Sequence, residues 1–144
     1  MVTYNYNKGK EYIEAVFKDK INQGEIVNYI NSLMKENHLP ENLKGIIDAR
    51  EASFGFHPAD LYNIIEVNVK MFSRFNTLKV AVIITNPVDT ALAMIFTRLI
   101  QLERYRFKVF TTPEAAERWI TKGHSNEIPR KYPNNTFVKN IMPN

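Results

Sequence analysis

Apolar and polar positions change rhythm several times along this chain, and each change marks an element. Tyr4 and Tyr6 alternate with polar residues, Lys8-Gly9 offers a turn, and Tyr12, Ile13, Val16 and Phe17 follow among Lys10, Glu11, Glu14 and Lys18. This near-alternation predicts two β segments joined at Gly9. Asn22 then stands as a helix N-cap with Glu25 three residues on, spaced to close a capping box, and Ile21 and Ile26 are spaced for a hydrophobic staple. Ile26, Ile30, Leu33 and Met34 recur at helical spacing, and Pro40 keeps that helix from running far past His38.

Leu43 to Asp48 is short, branched and tipped with a carboxylate, which predicts a buried strand. A loop from Ala49 to His57 follows, and Pro58 takes the first position of a helix reaching Phe75, with Leu61, Ile64, Ile65, Met71, Phe72 and Phe75 on its apolar face. Val80 to Thr85 is the most apolar strand, and its run of branched residues calls for cover on both faces. Asn86-Pro87 bounds it and opens a helix to Glu103; Phe107 to Phe110 forms a last strand, and Thr112-Pro113 starts a last helix that ends before Gly123. Strands alternating with helices predict an α/β domain over residues 1–123, with a single mixed, mainly parallel sheet of about five strands flanked by four helices. Residues 124–144, with Pro129, Pro133, Pro143 and several asparagines, read as an extended C-terminal tail.

Composition narrows the class. A chain of 144 residues with 44% hydrophobic and 24% charged residues is ordinary for one globular domain. The absence of cysteine excludes disulfides, thiolate metal sites and cysteine nucleophiles. No stretch is apolar for long enough to span a membrane, so the chain reads as cytoplasmic. The net charge is +4, concentrated after residue 97, but the cations there are scattered, which favours a solvated face over nucleic-acid binding. The glycines are isolated, so phosphate-binding loops are missing, and His38, His57 and His124 lack metal-ligand spacing. No cofactor or metal is called for.

Two regions carry candidate chemistry. The segment from Asp48 to Pro58 leaves the carboxyl end of a buried strand and enters a helix N-terminus, the edge where parallel α/β sheets bind ligands and partners. Asp48, Arg50, Ser53 and His57 form a polar recognition set there, or else Asp48 pairs with backbone amides or with Arg50. Phe54 and Phe56 either dock on the core or present an apolar surface. The helix from Pro87 is apolar around much of its circumference, so Met94, Phe96 and Ile100, with Met71 and Phe75 of the preceding helix, are candidates for a dimer seam or an apolar ligand slot.

The strand ending Gly-Ile-Ile-Asp48, the loop with Arg50, the strand Val-Ala-Val-Ile-Ile before Asn-Pro, and the run from Val109 through Thr112-Pro113-Glu114-Ala115-Ala116 to Trp119-Ile120 resemble STAS/Sec14-type domains, relatives of the anti-sigma-factor antagonists. The resemblance covers roughly residues 10–122 and implies a non-enzymatic regulatory or binding domain. In the antagonists a strand-end aspartate precedes an Asp-Ser pair whose serine is phosphorylated. Asp48 matches that aspartate, but the pair falls near Phe56-His57, which offers no hydroxyl, so the phosphorylation switch does not carry over. Ser53 is the nearest serine. The expectation is a bacterial signalling-type domain that docks a protein partner or its own copy, as a homodimer, through residues 49–58 and the adjoining helices. The alternative is a carrier or sensor for a small hydrophobic, lipid-like ligand held between the 58–75 and 87–103 helices and the sheet. An enzyme built on Asp48, His57 and a neighbouring carboxylate ranks below both.

Overall fold

The computed structural model describes residues 1–122. Five strands form one sheet in chain order: β1 (Val2–Asn7), β2 (Tyr12–Ile21), β3 (Asn42–Phe54), β4 (Thr77–Ile83) and β5 (Tyr105–Phe110). β1 pairs antiparallel with β2, and every later pairing is parallel. The helices are α1 (Gln23–Lys35), α2 (Leu61–Lys70, with a single 3-10 turn at either end), α3 (Pro87–Leu99) and α4 (Pro113–Thr121). The architecture is the mixed, mainly parallel α/β sheet with four helices that the patterning anticipates. The tail from 124 and the stop at Gly123 lie outside the described residues.

Strands laid down in chain order by crossovers of one hand put their helices on one face. Buried residues of α1, α2 and α3 accordingly join one large core, whereas Ala116 and Ile120 of α4 pack with Tyr12, Ala81 and Ile83 on the other face. β4 serves both: Leu78 and Val82, with Ile84 just past its end, bury against the three-helix layer, and Ala81 and Ile83 against α4. Local signals fix the helix starts. The Asn22 side chain accepts from Glu25 N–H at 2.9 Å within a complete capping box, Asn86 caps α3 and Thr112 caps α4.

Several boundaries differ from the sequence expectation, three of them with consequences for the packing. The stretch from Ala49 to Phe54 is strand rather than loop, because Glu51–Phe54 pair with Lys18–Ile21 of an unusually long β2. The register shifts there: two steps on β2, Val16 to Lys18, face three on β3, Asp48 to Glu51. That bulge reverses the alternation, so Ala49, Ala52 and Phe54 all turn to the three-helix face. The helix expected to reach Glu103 ends at Leu99, with Ile100 leaving helical geometry. β4 also begins at Thr77, which sets Lys79 inside the strand.

Candidate functional site

A cavity of about 130 Å3 lies between the sheet and the layer formed by α1, α2 and α3. Its cause is legible in the strand register. Across the middle of the sheet runs the row Ile13, Gly45, Val80 and Phe107, all four lining the cavity. Gly45 is buried in the central strand and contributes no side chain to a face where its neighbours do. A Cβ built on it would meet only Ile13, at 3.7 and 3.8 Å, ordinary contact distances. The helices therefore bridge over a gap instead of filling it.

The hollow is long. Leu78, Val80, Val82 and Ile84, successive inward positions of β4 and its exit, all line it, so it runs for roughly 20 Å at ~3.3 Å per residue. One end lies at the amino-terminal edge of the parallel strands, where two arginines cross-link neighbouring segments. Arg74 donates to the carbonyls of Glu36 (3.2 Å) and Leu39 (2.9 Å), and Arg104 to those of Asn76 (2.6 Å) and Phe75 (3.0 Å). Half-buried Phe54, Phe56, Leu92 and Ala93 line the other end, at the carboxyl edge, the usual binding edge of such sheets.

The wall is almost wholly apolar, and its buried polar groups differ in how they are met. Tyr105 Oη donates to Asn68 Oδ1 at 3.0 Å, and Asn68 Nδ2 donates to the Ile64 carbonyl at 2.7 Å, so that closed end is satisfied internally. Burial raises the phenol of Tyr105, and likewise that of Tyr29, above the ordinary range, keeping both neutral. Asp89, 3% exposed and in the first turn of α3, accepts the Phe54 N–H on Oδ1 at 3.2 Å. Its Oδ2 is buried and has no hydrogen-bond partner among the described residues.

The sequence candidates scatter around this cavity. Phe54, Phe56, Met71 and Phe96 line it. Phe75 (1% exposed) and Ile100 (4%) are core residues outside the lining and present no exposed apolar surface. Met94 is 47% exposed on the outer side of α3. Asp48 and Arg50 lie on β3 rather than in a loop, and they make the pairing that the sequence offers as the alternative to a recognition set, with Arg50 Nε and an Nη at 2.9 and 2.7 Å from the two carboxylate oxygens. That hydrogen-bonded pairing holds the Asp48 carboxyl below the usual range. Ser53 and His57 are exposed, and the His57 N–H donates to Asp60. Gly45, Asn68 and Asp89 escape a sequence reading. Only Gly45, a glycine inside an apolar strand, carries a signal that points to open space. Among the described residues no three His, Asp or Glu side chains gather as a metal site, and no helix is long and apolar enough to cross a membrane.

Comparison with known proteins identifies the fold. No family model and no curated protein matches the chain. A crystal structure of an uncharacterized protein from the DUF3478 family, with a SpoIIAA-like fold, from Shewanella loihica PV-4 superposes with a TM-score of 0.56 at 14% identity. The match covers 83% of this chain and 93% of that one. The fold is therefore SpoIIAA-like, the architecture of the STAS group.

Proposed function

We propose that this protein is a non-enzymatic binding domain that carries or senses a small apolar molecule held in the cavity between the sheet and α1–α3. One observation carries the reading: a hollow of about 130 Å3 with an almost continuous apolar wall, reaching half-buried side chains at the carboxyl edge of the sheet. An apolar cavity of ~150 Å3 in another protein suffices to take up benzene. The SpoIIAA-like fold supports a regulatory or binding role over a catalytic one. A cytoplasmic location belongs to the same proposal.

Titration of the full chain with hexyl methyl ether tests it. Methyl NMR signals of Met71, Val80 and Leu92 are expected to shift in a saturable way. The variant Gly45→Leu, whose side chain grows into the hollow, should keep its fold and lose that response. Unchanged spectra for the wild-type chain would refute the reading.

A second reading, docking of a partner protein or a second copy, rests on different residues. Val88 (75% exposed), Met94 (47%) and Ile95 (39%) leave apolar surface on the outside of α3. In that reading the docking surface moves from residues 49–58 to this helix.

A further inference from the structure

Asp89 is an unusual residue to find in the wall of an apolar cavity. It occupies the third position of α3, and its backbone N–H is shared with the Asn86 cap at 3.4 Å. An acid at that position commonly turns back to the N-cap backbone. Here the carboxylate reaches across to β3 instead and takes the Phe54 N–H on one oxygen. The positive end of the helix dipole stabilises negative charge at this point. The second oxygen is enclosed, on a residue that lines the cavity beside Phe54, Leu92 and Ala93, and no described residue donates to it. A buried acceptor left without a donor is strongly unfavourable, and more so when it is charged.

From this we infer that Asp89 is the head-group site of the cavity, and that the ligand is an alkyl chain ending in a hydrogen-bond donor, an alcohol or an alkylammonium, rather than a carboxylate. The inference rests on the cavity reading and adds ligand polarity and direction to it. The donor end sits at the carboxyl edge of the sheet against Oδ2, and the chain runs along Val82 and Val80 toward Met71. At the closed end Asn68 and Tyr105 already satisfy each other, so a polar head group gains least there. A fatty-acid carboxylate brings only acceptors to an oxygen that already lacks a donor, and is rejected.

Binding of a matched series to the full chain decides the matter, with 1-hexanol, hexylammonium, hexyl methyl ether and hexanoate as the probes. The alcohol and the ammonium are expected to bind about tenfold tighter than the ether, the gain for one added hydrogen bond, and hexanoate not measurably. Asp89→Asn keeps an acceptor for Phe54 N–H and turns the other atom into a donor, so the preference for the alcohol over the ether should collapse to near unity. Should that variant fail to fold, the wild-type Asp89 carboxyl carbon signal still reports: it should move with 1-hexanol and stay still with the ether. Equal affinity of alcohol and ether, with an unmoved Asp89 signal, overturns the head-group assignment and leaves the cavity reading standing. Failure of every probe to bind overturns both.

Discussion

Gly45 and Lys79 show at the scale of single residues how this sheet departs from uniform packing. Gly45 opens a gap on the helix-covered face, and the nearest atoms leave room for a methyl group there. Gly45→Ala should therefore raise stability by about 0.5 kcal/mol, mostly by restricting the unfolded chain, and denaturant melts measure it. A loss of 1 kcal/mol or more would mean that the gap does not exist. On the opposite face Lys44, Lys79 and Arg106 stand in register across three strands, a like-charge row that opposes pairing. Lys79 is 3% exposed; its ammonium lies 4.8 Å from the centre of the Trp119 ring and donates to the Lys122 carbonyl at 3.1 Å. Burial, then the charges of Arg106, Lys44 and Lys122, lowers it from 10.5 to about 8. Between those values the unfolded chain binds a proton that the folded chain has released, so this group makes stability rise with pH from about 8 to 10.5. The buried phenols of Tyr29 and Tyr105, raised from 10.0, act in the opposite sense above that pH. Lys79→Met should flatten the rise, as pH-dependent melting of the two proteins would record; an unchanged slope would contradict the assignment.

Elements differ in how far the sequence reveals them. Helix starts are legible because a cap and its partner lie within four residues: Asn22 with Glu25, Asn86 with Val88 and Asp89, Thr112 with Ala115. The second half of β3 is not legible, since Glu51–Phe54 become strand only through pairing with Lys18–Ile21. Nor is the bulge, which depends on that register. It has a consequence for the site: without the extra residue, Phe54 would follow the parity of Ile46 and face α4. With it, Phe54 packs edge-on to Phe17 (6.4 Å) and Phe56 (5.7 Å) at the cavity's outer end. Phe54→Ala should cost about 2 kcal/mol, below the ~3–5 kcal/mol of a fully buried phenylalanine, and should weaken binding of hexyl methyl ether. A neutral effect on both, by melting and titration, would place Phe54 outside the packed structure. Helical periodicity also could not separate Met94, which faces out, from Phe96 and Ile100, which face in, because apolar residues occupy both sides of α3.

For the whole molecule, three helices share one face of the sheet and α4 stands on the other, so the deeper layer is also the one able to hold a hollow. Parallel order and the number of layers were readable from alternating elements, and the SpoIIAA-like likeness agrees with them. Sequence patterning offers the cavity only as a slot between two helices and the sheet, whereas α1 also walls it, through Ile26, Tyr29, Ile30 and Leu33. The outward apolar patch on α3 belongs to this scale too. If it docks a second copy, sedimentation should show a dimer that Met94→Lys returns to monomer, while a wild-type monomer at high concentration would remove self-association.

A crystal of the full chain under xenon pressure tests the cavity most directly, since xenon enters apolar space that water leaves dry. A xenon atom is expected over Gly45, between Val80 and the helices. Side chains of α1–α3 packed onto Gly45, with no xenon bound there, would contradict it.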